Sequence, residues 1–288
     1  MNDSAWTLRT RGKTIQFEGT QVMGIVNLTP DSFYDGGMMS TQDQIRDQVH
    51  HMVDQGATLI DVGAESTRPG SDPVSQEEEL ERLDPFFSLL SGGNLPTHPM
   101  YSIDTTKAEV AKRALDAGCH IVNSVSGRVE DDLLSIAADT KAAYVCMHAQ
   151  GSPKTMQERP HYDDVVKEVE RFTHAFVEEA TQSAPTLGSI IADPGFGFGK
   201  RLEDNLKLMN ALPQFVKHGW PVMVGVSRKS MIGSLLKGQP AADRLNGSTV
   251  LHTVACLAGV HILRVHDVKE AAEAVRIVAA LQQESSGG

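Results

Sequence analysis

Eight short apolar runs, each followed by a segment of helical periodicity, constrain the fold of this chain more than any other feature. The runs span Gln21 to Val26, Thr58 to Val62, Met100 to Ile103, His120 to Val122, Ala143 to Met147, Ser189 to Ala192, Pro221 to Val226 and His261 to Val265. Strict alternation of strand and helix is typical of a parallel sheet. Because eight repeats follow one another without an antiparallel interlude, the pattern predicts an α/β fold, a closed (β/α)8 TIM barrel rather than a doubly wound sheet.

The segments between these runs carry helix signals. Ser75 to Glu78 has a capping-box pattern and precedes leucines and a phenylalanine at helical spacing. The segment Lys107 to Ala117 ends at Gly118, a residue suited to a left-handed helix stop. Leu245 to Leu257 and Val268 to Leu281 complete the predicted helices.

The N-terminal segment has a different pattern. Trp6 to Phe17 alternates around Arg11-Gly12-Lys13, which predicts a β-hairpin that plugs the bottom of the barrel. A length of 288 residues is close to the ~250 typical of this barrel. We therefore predict one domain over residues 1–288, with the hairpin in 1–20 and the barrel in 21–284.

Composition excludes several classes of partner. The formal net charge of −11 argues against non-specific binding to nucleic acid and to an anionic membrane surface. Met1 to Lys13 lacks an apolar segment of the signal-peptide type, and no apolar run approaches the ~18 residues needed to span a bilayer. Cys119, Cys146 and Cys256 have no metal-type spacing. We expect a cytoplasmic protein with reduced core cysteines.

Polar side chains stand where the predicted strands end, and in a barrel these ends surround the active site. The residues at these ends are Asn27, Asp61, Asp104, Asn123, Met147 with His148, Asp193, Lys229, and Arg264 with His266. Carboxylates and amides are costly to bury without donors, so Asp104, Asn123 and Asp193 predict a ligand rich in N–H groups. An aminopyrimidine-type heterocycle fits that requirement.

A second set of strand-end residues is cationic. Its members come from the second, seventh and eighth strands and are Arg68, Arg228, Lys229, Arg264 and His266. The loops after strands seven and eight form the usual phosphate site of a barrel. This set predicts an anionic group, phosphate or diphosphate.

Other interpretations of single residues stay open from the sequence. Asp61 can cap the helix that follows its strand, and Asp267 is better explained as an N-cap for Val268 onward than as a ligand. The segment Gly195 to Gly199 is not a Walker loop, since it is one residue short, and it can be only a turn. We interpret His148 and His252 as satisfied buried or packing residues.

Several long motifs together resemble dihydropteroate synthase over roughly Val22 to Leu281. The matching segments are Met23 to Phe33 with Asp35-Gly36-Gly37, Asp61 to Gly70, Ile103 to Thr105, Met147-His148 with Gln150-Gly151, Asp193 to Lys200, Ser227 to Ser230, and Arg264 to Val268. The resemblance implies a transferase that joins p-aminobenzoate to 6-hydroxymethyl-7,8-dihydropterin diphosphate in folate biosynthesis. The implied mechanism is SN1-like: diphosphate leaves first, and the arylamine attacks the resulting cation.

The resemblance also implies roles for single residues. Asp104, Asn123, Asp193 and Lys229 would hold the pterin, with Met147 against its face. Asn27 would bind Mg2+ together with the diphosphate, whose oxygens would contact Arg68, Arg264 and His266. The p-aminobenzoate pocket would contain Thr67, Pro69, Phe198, Lys229 and Ser230. Asp104, Asp193, Lys229, Arg68 and Asp35 would act in catalysis, with Arg68 and Asp35 contributing in a closed state.

The resemblance further implies small-molecule partners, sulfonamides as possible competitors, and a homodimer through late helices. One departure stands out: Ser124 follows Asn123, where the family's usual segment has Asp. Two alternatives follow from this and from the shared pterin residues. They are a non-catalytic pterin-binding paralogue and a methyltetrahydrofolate-type methyltransferase barrel, and the Ser227 to Ser230 and Arg264 to Asp267 segments argue against the second.

Overall fold

The computed structural model describes residues 5–29, 41–65, 73–126, 131–151 and 155–286. Its strands are β1 Ala5–Thr10, β2 Lys13–Glu18, β3 Gln21–Asn27, β4 Leu59–Gly63, β5 Met100–Asp104, β6 Ile121–Ser124, β7 Ala143–Met147, β8 Ile190–Asp193, β9 Met223–Val224 and β10 Ile262–Val265. Its helices are α1 Thr41–Asp54, α2 Gln76–Ser91, α3 Ala108–Ala117, α4 Asp131–Asp139, α5 Val165–Ser183, α6 Leu202–Val216, α7 Ser230–Leu235, α8 Leu245–Leu257 and α9 Val268–Ser286.

Strands β3 to β10 form a nearly closed parallel barrel. Each strand pairs with its neighbour in the chain, and β10 returns to pair with β3 through Val265 and Gly24. Between β8 and β9 the connection is a single bridge, where the amide of Ala192 donates to the carbonyl of Pro221 at 2.8 Å. The predicted TIM barrel is confirmed, with helices between its strands.

The predicted hairpin is also confirmed, and it covers the amino-terminal end of the barrel. Strands β1 and β2 pair antiparallel about the turn at Arg11-Gly12. Trp6 and Leu8 pack against the deepest inward side chains of the barrel, among them Met23 and Leu59. The inward side chains at this end of the barrel are apolar, so the polar inward side chains lie toward the opposite mouth.

The seventh predicted strand and one helix differ from expectation. Strand β9 has only two residues, Met223 and Val224, which pair with Ile262 and Leu263 of β10. Pro221, which has no amide hydrogen to donate, lies outside it. Helix α7 was not predicted, since six residues are too few to show a helical period. The other boundaries shift by one or two residues in most elements, and Gly118, with φ of 124°, ends α3 as expected.

Two further expectations can be compared with the described residues. Cys119, Cys146 and Cys256 are free thiols in the core, as predicted. Within the described ranges, every helix is too short or too polar to cross a bilayer. The division into one domain over 1–288 stays a prediction.

Candidate active site

The alternation of the strands explains which polar residues meet inside the barrel. Residues two apart on a strand face the same side, and Met23, Leu59, Met100, Ile121 and Ile262 face inward at the bottom. Continuing each alternation toward the carboxyl end leads to inward positions that are polar except for Met147: Asn27, Asp61, Asp104, Asn123, Met147, Asp193, Arg264 and His266. Most of the predicted strand-end residues therefore share one face, as the sequence analysis expected.

A buried ionic network joins four of these residues across the barrel. The guanidinium of Arg264 donates from Nε to Asp61 Oδ2 and from Nη2 to Asp104 Oδ2, both at 2.7 Å. Asn123 Nδ2 also donates to Asp61 Oδ2, at 2.9 Å. Burial opposes the charge of Arg264, but the carboxylates of Asp61 and Asp104 outweigh it and raise the pKa of the guanidinium.

Asp61 does not cap a helix, so that interpretation was wrong. It lies inside β4, two residues before the strand ends, and its side chain is fully buried in the barrel. Its atom Oδ1 has no hydrogen-bond partner in the part of the chain that the structure describes. From the sequence, Asp61 stands at the end of the second predicted strand, where helix capping was an open alternative, and it was not among the predicted site residues.

Asp104 is buried at the end of β5, and its environment alters its ionisation. Burial is the largest effect and raises the pKa of this carboxyl to about 7, with Asp61 acting in the same direction and Arg264 against it. This carboxyl is therefore harder to ionise than that of an exposed aspartate. A ligand with N–H donors facing it would favour the ionised form.

Asp193 ends β8 and leads into a glycine-rich turn. Its Oδ1 accepts from the amide of Gly195 at 2.7 Å, while burial raises its pKa against the lowering effects of Lys229 and of that amide. Gly195 and Gly199 have positive φ, and a Cβ at either position would lie within about 2.2 Å of a backbone carbonyl. The segment is a turn with fixed geometry rather than a flexible one.

Lys229 places its ammonium group next to this turn. Its Nζ donates to the carbonyl of Phe196 and lies 4.5 Å from the ring centroid of Phe198. Burial lowers the pKa of the ammonium to about 8, and Asp193 and Asp104 oppose that shift. Lys229 thus stands between the buried carboxylates and an aromatic surface, and it can contact ligands on both sides.

Lys200 binds backbone carbonyls of the same turn, a role that was not predicted from the sequence. Its buried Nζ lies 2.9 Å from His148 Nδ1 and donates to the carbonyls of His148, Gly195 and Phe198 at 2.9–3.1 Å. Burial lowers its pKa to about 7. The buried, packed position predicted for His148 is confirmed, since its ring also meets Phe172 edge-on at 5.1 Å.

Replacing Lys200 by methionine should loosen this turn. Three buried carbonyls would lose a donor, and we expect a loss of about 3 kcal/mol in the free energy of unfolding. The unfolded chain binds more protons than the folded chain between pH about 7 and 10.5, so unfolding free energy rises with pH through Lys200 in that window. Denaturant titrations at pH 6.5 and 9.5 should show both effects, with exposed Lys207→Met as the unaffected control. Equal stability of Lys200→Met and wild type at both values would contradict the assignment.

The remaining cations of strands seven and eight have partners of their own. Arg228 forms a two-pronged ion pair with Asp267, at 2.9 and 2.6 Å. Asp267 directly precedes α9, the position predicted for it, and its carbonyl accepts from the amide of Ala271 at 3.3 Å. His266 Nδ1 lies 3.1 Å from Ser227 Oγ at the barrel mouth. His252 is buried as expected, but neither ring nitrogen has a hydrogen-bond partner among the described residues.

The other predicted site residues divide into two groups. Asn27 ends β3 half-buried, Met147 is buried beside Asp193 in the strand register, Phe198 is half-buried under Lys229, and Ser230 is exposed at the start of α7. All four lie on the segments that surround the carboxyl end of the barrel. Asp35, Thr67, Arg68 and Pro69 lie outside the described residues, and their roles stay predictions.

An acidic network lies where β4 leads into the 66–72 segment. Lys107 Nζ contacts Glu65 Oε2 and the fully buried Glu79 Oε2, both at 2.5 Å. Glu65 Oε1 also accepts from the amide of Val74 at 3.3 Å. Glu65 therefore binds Val74, on the far side of 66–72, and Lys107 at the start of α3. Through Lys107 it is also connected to Glu79 of α2.

Ser124 faces away from the site. Asn123 points inward to Asp61, so alternation turns the next side chain outward, where Ser124 Oγ accepts from the amide of Ser126 at 3.4 Å. The departure from the family's usual Asp therefore removes no carboxylate from the barrel interior.

Comparisons with known proteins agree with this geometry. The family model of pterin binding enzymes matches residues 23–266. Dihydropteroate synthase of Escherichia coli (strain K12) is 44% identical over 276 residues, 95% of each chain, and that of Synechocystis sp. is 42% identical over 264 residues, 91% of this chain and 90% of the relative.

Solved structures give the same result. The Yersinia pestis dihydropteroate synthase with a sulfonamide drug complex superposes with a TM-score of 0.86 at 40% identity, covering 96% of this chain and 100% of that one. The Thermus thermophilus enzyme in complex with 4-aminobenzoate gives a TM-score of 0.83 at 39% identity, with the same coverage.

Proposed function

Because this chain belongs to the dihydropteroate synthase family, we propose that the barrel mouth built from Asp104, Asn123, Asp193, Lys229 and Arg264 is its active site. The chain is a transferase that condenses p-aminobenzoate with 6-hydroxymethyl-7,8-dihydropterin diphosphate, releasing diphosphate, in folate biosynthesis. One observation supports the site most strongly: buried acceptors and two cations meet at one mouth. The acceptors suit the N–H groups of a pterin, and the cations suit its diphosphate.

The roles follow from the contacts. Asp104 and Asp193 would accept from pterin N–H groups, Asn123 would add an amide contact, and Met147 would pack on the ring face. Arg264 already uses two of its five N–H donors on Asp61 and Asp104, and the other three make no hydrogen bond with described residues. These three, with His266 and Arg68, would bind the diphosphate.

The reaction needs no protein nucleophile. The bond between the pterin methylene carbon and the diphosphate oxygen breaks, and its electron pair leaves with the diphosphate. The cation left on the pterin is stabilised by Asp104 and Asp193, whose negative charges face the ring in this arrangement. The amine of p-aminobenzoate then forms the new C–N bond and loses a proton. Lys229 and Ser230, with Phe198, Thr67 and Pro69, would hold the arylamine in place.

Mg2+ fits the donors of this mouth. Mg2+ prefers oxygen ligands and is commonly held by one or two protein groups together with substrate phosphates. The carboxamide oxygen of Asn27 at the end of β3 can serve as such a ligand, and the ion would neutralise charge on the departing diphosphate. Asp35 would act with Arg68 over the site, as the sequence analysis predicted.

Two alternatives from the sequence lose support. The Escherichia coli and Synechocystis relatives, which match 95% and 91% of the chain, are dihydropteroate synthases, and this disfavours a methyltetrahydrofolate-type methyltransferase barrel. The outward position of Ser124 removes the main argument for a non-catalytic paralogue. Sulfonamide competition and the cytoplasmic location stay predictions, as does the absence of nucleic-acid and membrane partners.

A condensation assay tests this function. Purified protein would receive the pterin diphosphate, p-aminobenzoate and Mg2+, with dihydropteroate and diphosphate both quantified. Equimolar products that require all three additions are expected. Pterin binding without either product would identify a paralogue and refute the proposed synthase site.

An exposed apolar surface supports a homodimer as a further part of the proposal. Val250, Val254 and Leu257 lie three or four residues apart on α8, and they are 55%, 41% and 57% exposed. Ile277 and Leu281 extend this surface on the adjoining α9, at 62% and 59% exposure. An apolar patch of this kind on neighbouring helices is typical of a protein–protein interface.

The double variant Val250→Glu with Leu257→Glu should separate the proposed dimer. Two charges per protomer would be buried without partners, at a cost of about 2–5 kcal/mol or more. Sedimentation velocity should show a dimer for the wild type and a monomer for the variant. Gln182→Glu, an exposed position on α5, is the control. A monomeric wild type, or a variant that still sediments as a dimer, would refute this interface.

A further inference from the structure

Beneath the proposed substrate site, the fully buried Asp61 binds two residues that would contact the pterin diphosphate. Its Oδ2 accepts from Arg264 Nε at 2.7 Å and from Asn123 Nδ2 at 2.9 Å. Asp61 has no exposed surface, so it does not touch a ligand in the mouth. Its strand β4 also lies between β3, which carries Asn27, and β5, which carries Asp104.

A buried carboxylate is costly to desolvate, and here it is kept at the centre of the barrel. Arg264 is pinned at two points, Nε on Asp61 and Nη2 on Asp104, which defines the plane of its guanidinium. A planar fork with a defined orientation loses little freedom when it binds an anion. Asn123 is oriented in the same way, since donation from Nδ2 to Asp61 determines where its Oδ1 points.

We infer that Asp61 is a positioning residue of the reaction, which orients the Arg264 guanidinium and the Asn123 amide for the pterin diphosphate. This inference rests on the proposed function of the site. It assigns a role to a residue that makes no contact with the substrate. It also explains why a charged side chain occupies an inward position that an apolar residue would fill at lower cost.

The substitution Asp61→Asn tests the inference with little change in volume. The amide oxygen of the new side chain can take the place of Oδ2, but it carries no negative charge, so it binds the Arg264 guanidinium and the Asn123 amide more weakly. We expect the KM for the pterin diphosphate to rise roughly 10- to 100-fold, while the KM for p-aminobenzoate stays within about twofold. Ser102→Ala is the matched control: Ser102 pairs with Asp61 in the strand register and is buried, but its hydroxyl has no partner among the described residues.

A pH profile separates positioning from a general structural role. The charges of Arg264, Asp61, Glu79 and Glu65 affect the pKa of Asp104, and Asp104 in turn affects that of Lys229. Asp61 is among the groups that raise the pKa of Asp104, after burial, so its neutralisation should lower that pKa. The acid limb of pterin-diphosphate affinity, measured by calorimetry, should move to lower pH in Asp61→Asn. If Asp61 has only a general structural role, Asp61→Asn should lower the Tm but leave the acid limb of the affinity at the wild-type pH. That result would refute the inference.

A double-mutant cycle completes the test. In an Arg264→Gln background, Asp61→Asn should cost much less pterin-diphosphate affinity than in the wild type, because the residue that it orients is gone. If the two substitutions instead reduce the affinity by independent factors that multiply, the inference is overturned. The synthase activity of the wild type would remain intact in that case. If Asp61→Asn does not fold, Asp61→Ser takes its place, since it also removes the charge that holds Arg264; an unchanged KM for the pterin diphosphate in that variant would refute the inference. A wild type that makes no dihydropteroate would instead refute the proposed function.

Discussion

Asp193→Asn is expected to abolish most pterin binding. The carboxylate at the end of β8 would present two acceptor oxygens to pterin N–H groups, whereas asparagine replaces one of them by a donor. Truncating one partner of a buried charged hydrogen bond costs about 2–5 kcal/mol, and the affinity for the pterin diphosphate should fall roughly 30- to 4,000-fold. Isothermal calorimetry measures this loss directly.

The asparagine variant should keep its fold. The remaining Oδ1 can still accept from the amide of Gly195, so the glycine turn after β8 keeps its anchor. Asp193 also raises the pKa of Lys229, which burial lowers to about 8. Its neutralisation should therefore lower that pKa further and shift the alkaline limb of kcat/KM to lower pH. Asp139→Asn, an exposed change at the end of α4, is the control. Unaltered pterin affinity in Asp193→Asn would remove this residue from the site.

Lys229→Ala is expected to impair both the binding of pterin and the condensation. Its ammonium lies between Asp193 and Asp104 on one side and the Phe198 ring on the other. Removing a cation that stabilises developing charge in such a site costs about 10²- to 10³-fold in rate. We expect kcat/KM to fall by that factor for both substrates, because the two proposed pockets share this side chain.

Lys229→Arg distinguishes charge from position. Arginine keeps the cation but does not titrate below pH ~12, so the alkaline limb near pH 8 should disappear while part of the rate is restored. Lys207→Ala on the exposed face of α6 is the control for a lost surface lysine. Wild-type kcat/KM in Lys229→Ala for either substrate would contradict the assigned dual role.

Much of the fold can be predicted from hydrophobic periodicity. The eight apolar runs mark β3 to β10, and the turn residues at Arg11-Gly12 mark the hairpin. Strand-end position predicted that Asp104, Asn123, Asp193, Lys229 and Arg264 lie near one another, because parallel strands bring their carboxyl ends to one side of a barrel. Full-length motif similarity predicted the dihydropteroate synthase family, and the comparisons confirm it.

Local sequence was insufficient where partners come from distant segments. Asp61 and Arg264 are 203 residues apart, so no local pattern shows that Asp61 holds a guanidinium rather than capping a helix. Lys200 looked like the end of a turn, yet it lies buried among carbonyls from two loops. Arg228 looked like part of the anion site, but its charge is paired with Asp267.

Local sequence patterns are sufficient to predict the barrel and the chemical types of the groups at its mouth. Alternation along each strand sets which face a side chain takes, and this information is local. Only the tertiary structure shows the partners of the charged groups. It shows which carboxylates bind Arg264 and which carbonyls surround Lys200, and it shows that Ser124 faces away from the site. Such pairings depend on how the strands are staggered around the closed barrel, and that stagger is set only when all eight strands pack together.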